Sequence, residues 1–136
     1  MKHVLDTNVV SLLMRGEPEV CQQLTSCSRT DVFLPQPVVA EIEYGLARMP
    51  RSARQQRLRR RFDIFRTELM RAPWSDEVSR IFGDIKSSLE RRGMRLEDFD
   101  VAVAAHALAL EATLVTENRD HMQRVRELRI ESWLKE

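Results

Sequence analysis

Four acids stand beside apolar segments suited to building a core: Asp6, Glu41, Asp100 and Asp120. Asp6 closes the run that contains Val4 and Leu5. Glu41 precedes Ile42, Asp100 precedes Val101, and Asp120 follows the segment Thr113 to Thr116. Acids so far apart in sequence, each fixed by one core, need a reason to converge. The commonest reason is a hard cation held by oxygen ligands, here Mg²⁺ or Mn²⁺. Packed together without a cation, some of these acids would titrate at raised pKa. With one, repulsion becomes ligation, a phosphodiester oxygen is polarised and a bound water becomes more acidic. No histidine stands at a convincing base position, and Cys21 and Cys27 lie away from the acids. The expected chemistry is therefore direct hydrolysis by metal-activated water. Thr7, Thr116 and Asn118 neighbour the same segments and are expected to orient a carboxylate, a water or a phosphate. For Thr7, Asn8 and Asp100 the competing reading is helix capping. For Glu41 it is a surface glutamate.

The elements that must position these acids alternate. Residues 2–5 predict a short strand, followed by a helix from Thr7 or Asn8 through Met14 that Gly16 stops. A second helix is expected over 18–27, with Pro18 in its first turn. Asp31 to Leu34 predicts a strand bounded by Pro35, and Pro37 opens a helix carrying Glu41. Arg51 to Leu69 is expected to be a long helix that buries a stripe of Leu58, Phe62 and Phe65. Residues 70–73 predict a short strand. Ser75 caps a helix that runs to about Arg91 and ends at Gly93. Asp98 or Asp100 begins a helix whose stretch Val101 to Leu110 is apolar except for His106, which marks it as central. Thr113 to Thr116 predicts a strand, Asp120 to Arg126 a short helix, and Leu128 to Trp133 a terminal strand or tail. Strands alternating with helices imply a parallel sheet covered on both faces. In such folds the functional crevice lies at the carboxyl ends of the strands. Asp6, Asn118 and Asp120 follow strands in that sense.

At 136 residues, 43% of them apolar, the chain is expected to form one domain over 1–136. Two cysteines six apart, with no histidine nearby, argue against a zinc site. No apolar run approaches a membrane span, and the N-terminus lacks the pattern of a signal peptide, so the expected location is the cytoplasm. Net charge is only +1, but it is uneven. Between Arg48 and Arg71, nine arginines face two acids, Asp63 and Glu68. A basic arm beside an acidic pocket suits a polyanion cut with metal help. Arg51, Arg54 and Arg57 are candidate contacts from this arm. Arg91, Arg92 and Arg95 around Gly93 are candidates for phosphate at the pocket rim. The competing reading for each is a solvated helix face. His106, Trp74 and Trp133 read as packing residues, and His121 as a substrate contact beside Asp120.

Four segments resemble the signatures of a PIN domain, specifically the VapC-type toxins of bacterial toxin–antitoxin pairs. They are Leu5-Asp6-Thr7-Asn8-Val9, Ala40-Glu41-Ile42-Glu43-Tyr44-Gly45, Asp100-Val101-Ala102-Val103-Ala104-Ala105-His106-Ala107 and Leu114-Val115-Thr116-Glu117-Asn118-Arg119-Asp120. Their order and separation carry the resemblance, which extends to Ile130-Glu131-Ser132-Trp133. It implies a three-layer α/β/α sandwich with a short central parallel sheet. It also implies Mg²⁺- or Mn²⁺-dependent endoribonuclease activity with Asp6, Glu41, Asp100 and Asp120 at the metal. Asn118 and Asp120 share the polar positions of the last motif, and either is the nearer partner of the ion. The implied substrate is structured RNA, such as a tRNA or ribosomal RNA loop. The implied partners are a cognate antitoxin and a second copy of the chain. Two other readings stand beside this one: a PIN-type RNA-processing nuclease without antitoxin, and a catalytically silent RNA- or protein-binding domain.

Overall fold

The sheet is assembled from its middle outward. The computed structural model describes residues 1–135. Strand β1 (His3–Leu5) lies at the centre of a five-stranded sheet with β2 (Val32–Pro35), β3 (Met70–Ala72), β4 (Thr113–Val115) and β5 (Ile130–Glu131), in the order β3-β2-β1-β4-β5. All four pairings are parallel. The chain first builds toward β3 and then returns to the other side of β1. Strand order therefore reverses between β1 and β4, where parallel sheets of this kind open a crevice at their carboxyl ends.

Every residue of β1, β2 and β4 is buried. Successive strand residues point to opposite faces, so both faces are covered and the architecture has three layers. This is why the strands read as short continuous apolar runs. The covering helices are α1 (Thr7–Met14), α2 (Pro18–Thr25), α3 (Gln36–Ala47), α4 (Ala53–Glu68), α5 (Asp76–Arg91), α6 (Asp98–Ala109) and the one-turn α7 (Arg119–Met122). Helix α6 is buried from Val101 to Ala107, as expected of a central helix, and packs mainly against α5. Its alanines let neighbouring elements approach closely. His106, 1% exposed, is a packing residue. Its Nδ1 lies 2.7 Å from the Ala102 carbonyl, and Trp74 meets its ring edge-on at 5.6 Å. Burial lowers its pKa. Trp133 is buried as well.

Several boundaries differ from the sequence expectation. Helix α2 ends at Thr25, and Asp31 belongs to a 3-10 turn (Arg29–Asp31) preceding β2. Helix α7 is four residues long, so the expected helix to Arg126 is cut short after Met122. The terminal strand is only Ile130–Glu131, which pairs with Leu114 and Val115. A three-residue β4 leaves little ladder to extend. The region is tied instead by Glu117, which accepts from the Ser132 hydroxyl at 2.6 Å and the Trp133 amide at 3.2 Å.

Much of the basic arm has structural work. Arg59 grips Glu43 with two nitrogens at 2.6 and 3.0 Å, and Arg66 adds a third bond at 2.9 Å. These bonds hold the Glu43 carboxyl below its ordinary range and clamp α4 onto α3, the helix that carries Glu41. Arg61 donates to the Met14 carbonyl at the end of α1 (2.9 Å). Its guanidinium lies against Gly16, where a Cβ would stand 2.8 Å from Nη1. Gly16 also has φ of +78°, the left-handed conformation that favours glycine in the turn after α1.

Candidate functional site

Asp6 is the first residue beyond β1 and Thr116 the first beyond β4, so the reversal of strand order brings them together. Asp6 also begins α1: its extended backbone makes it the N-cap, and Oδ1 accepts from the Thr7 amide at 2.8 Å. Oδ2 accepts from the Thr116 hydroxyl at 2.8 Å and from Asn8 Nδ2 at 3.3 Å. The carboxyl is 3% exposed. Burial pushes its pKa up, against the lowering effect of these donors. Oδ1 keeps lone-pair capacity beyond the one bond it accepts, whereas Oδ2 already accepts two.

With Asp6 as the cap, Thr7 is free for another task. Its hydroxyl donates to Glu41 Oε1 at 2.5 Å, linking α1 to α3. Asn8 spans in the other direction, accepting from the Glu117 amide at 3.0 Å. Thr116, fully buried, also accepts from the Asn118 amide at 2.9 Å. The capping reading fails for Asp100 too, because the cap position of α6 is Glu97 and Asp100 lies within the first turn. Burial, followed by the charges of Asp6 and Glu41, pushes Asp100 up to about 6, with His121 opposing. The charges of Asp6 and Glu41 thus reach Asp100.

A cleft of about 840 Å³ opens over this site. Glu41, Asp100, Asn118 and His121 form its acidic and polar wall, and His121 Nδ1 lies 2.6 Å from Asn118 Oδ1. Lys86, Arg95 and Arg124 bring positive charge to the same cleft, and Phe99 borders it. Asp120 is not brought there: it is exposed on α7, whereas Asn118 and His121 face the cleft. These placements differ around the start of α7, which a list of polar positions does not resolve. Among the arginine candidates only Arg95 lines the cleft. Arg51, Arg54 and Arg57 lie on the exposed surface, and Arg91 bonds Ser87 of its own helix. Arg92 donates to the Arg124 carbonyl at 2.9 Å beside a smaller, separate depression. Lys86, Phe99, Asn8 and Arg124 escaped the sequence reading. Asn8 alone carried a signal, its place in the first motif.

The donor set suits a hard cation, because Asp6, Glu41, Asp100 and Asn118 offer oxygen and no thiol lies among them. Among the described residues, no three His, Cys, Asp or Glu side chains already form a closed ligand set.

The family model of the PIN domain matches residues 3–128. The chain belongs to the PIN-domain family. It is 28% identical to Ribonuclease VapC2 of Rickettsia felis, with 98% of each chain covered. It is 24% identical to the tRNA(fMet)-specific endonuclease VapC of Salmonella typhimurium, again with 98% of each covered. The solved structure of VapBC2 from Rickettsia felis, bound to a DNA fragment from their promoter, superposes with a TM-score of 0.88 at 26% identity. That match covers 98% of this chain and 100% of the other. The PIN fold expected from the four motifs is thus the fold present.

Proposed function

We propose that this chain is a VapC-type toxin, a single-domain endoribonuclease that depends on Mg²⁺ or Mn²⁺ and is held inactive by a cognate antitoxin. The observation that carries the proposal is the meeting of Asp6, Glu41 and Asp100 at the crevice between β1 and β4. The likeness to VapBC2 supports the antitoxin. The names of the ribonuclease relatives support RNA as the substrate, with a tRNA or ribosomal RNA loop as the target class. A homodimer in the cytoplasm completes the reading. Among the described residues, no helix is long and apolar enough to cross a membrane.

Asp6, Asp100 and Glu41 would hold the ion, with Asn118 as the nearer polar partner and Asp120 outside this set. A bound Mg²⁺ or Mn²⁺ supplies positive charge for a phosphodiester oxygen and acidity for a coordinated water. Thr116, Asn8 and the Thr7 amide hold the Asp6 carboxylate in one orientation, and the Thr7 hydroxyl does the same for Glu41. Partners of this kind fix the ligand before the ion arrives.

The direct test is cleavage of total cellular RNA by purified protein, free of antitoxin, in Mg²⁺, Mn²⁺ or EDTA, with Asp6→Asn as control. Discrete products that need the ion, carry 3′-hydroxyl and 5′-phosphate ends, and vanish in Asp6→Asn are expected. Folded wild-type protein that binds Mn²⁺ and cuts none of this RNA would shift the reading to a binding domain.

Thr116→Val tests the supporting bonds. It keeps the shape but strips a buried donor from Asp6 and an acceptor from the Asn118 amide. The expected stability cost is about 1–3 kcal/mol, read by urea unfolding. Mn²⁺ affinity or cleavage should fall roughly 10- to 100-fold. Wild-type values for both would show that Asp6 needs no such orientation.

A further inference from the structure

The cleft brings two unlike groups beside the acids, an exposed aromatic ring and a cation already fixed in place. Phe99 adjoins Asp100 in the first turn of α6, borders the cleft and is 49% exposed. A half-exposed phenyl ring in a charged cleft offers an open face to a ligand. Arg124 is held on both sides. Its Nη1 donates to the Arg95 carbonyl at 2.8 Å, and its own carbonyl accepts from Arg92 at 2.9 Å. The first bond orders the side chain, the second fixes its backbone, and further guanidinium donors remain for a ligand. The other cations of the cleft are partly neutralised: Lys86 pairs with Asp98 at 2.9 Å, and Arg95 lies 3.9 Å from Glu90. Among the described residues Arg124 has no carboxylate within ion-pair distance.

We infer that Phe99 and Arg124 together seat a single-stranded RNA segment, with one base stacked on the Phe99 ring and a neighbouring phosphate on the Arg124 guanidinium. The inference rests on the nuclease reading above and deepens it. Stacking on a side chain requires a base already splayed from its helix, so the pair selects unpaired strand over duplex. The acids repel phosphate, so a fixed cation opposite them is needed to keep the strand in register. Neither residue touches the reacting bond; both are positioning residues.

The test measures binding separately from cleavage. Fluorescein-labelled single-stranded oligoadenylate is titrated with full-length protein in Ca²⁺, and a gel verifies that the strand stays intact. Phe99→Ala is expected to weaken binding about 5-fold to about 150-fold, whereas Phe99→Trp retains it and adds indole quenching on binding. An abasic strand should bind wild type and Phe99→Ala equally. Arg124→Gln should lower the salt dependence of log K by about 0.7, one single-strand phosphate. Unchanged binding in Phe99→Ala, or equal binding of abasic and intact strands by wild type, overturns the inference and leaves the ring to a protein partner. Loss of the Phe99 effect is distinct from failure of the nuclease reading. In the latter case the strand would bind through Phe99 and yet survive in Mg²⁺.

Discussion

Asp100→Asn should abolish cleavage and, in the same step, stabilise the ion-free protein near neutral pH. The two effects share one cause. Burial and the neighbouring charges of Asp6 and Glu41 raise the Asp100 carboxyl from 3.8 to about 6. Between those values the folded state keeps a proton that the unfolded chain has released. Stability therefore falls as pH rises through this window, and the whole deficit is present above about 6. Asparagine never carries the charge. One pKa unit corresponds to about 1.36 kcal/mol. Discounting for the solvent that reaches a partly open site, the variant should gain about 1–2 kcal/mol at neutral pH. Urea unfolding in EDTA at about pH 4 and at about pH 7.5 reads the difference, which should shrink at the lower value. Cleavage in Mg²⁺ should fall about 10³-fold or more, since a ligand carboxylate underlies several kcal/mol of charge stabilisation. A variant that is less stable than wild type at the higher pH would mean that Asp100 is held by bonds outside the acid cluster.

Phe62→Ala carries the largest expected stability loss. Phe62 is fully buried and is the one core side chain of α4. The helix is otherwise rich in arginine, and Arg66 stacks over the Phe62 ring at 5.5 Å. Truncation leaves a cavity under the helix and should cost about 3–5 kcal/mol, a large part of an ordinary domain's stability. In a thermal melt that is a drop of roughly 10–20 °C. The loss should spread to the site, because α4 clamps α3 through the Glu43 bonds and α3 carries Glu41. Arg54→Ala, on the exposed face of the same helix, should stay within about 0.5 kcal/mol of wild type. A cost near 1 kcal/mol for Phe62→Ala would instead assign the seating of α4 to its ion pairs.

The arginine-rich arm marks where local reading runs out. From sequence it is a surplus of positive charge beside an acidic pocket, which suggests a polyanion. Within the fold, Arg59, Arg61 and Arg66 are committed to Glu43 and the Met14 carbonyl, while Arg51, Arg54 and Arg57 lie outside the cleft. The cations that do line it come from α5, the loop before α6 and the segment after α7, and only Arg95 was a candidate beforehand. A charge run reports composition along one helix, whereas a cleft collects side chains from distant elements.

The alternation of strands and helices, the buried character of α6, and the placement of Asp6, Glu41 and Asp100 beside core segments were legible along the chain. They were so because strand and helix periods and apolar runs are local properties, and because an acid at the end of a core segment is fixed by that core. The partners of the neighbouring polar residues emerge from the folded chain. Asp6 takes the cap of α1, which releases Thr7 for Glu41 and Asn8 for the β4 loop. Around the start of α7, Asn118 and His121 line the cleft, whereas Asp120 is exposed outside its lining. Those choices depend on side-chain directions and on hydrogen bonds between residues up to 110 positions apart, which spacing along the chain does not encode.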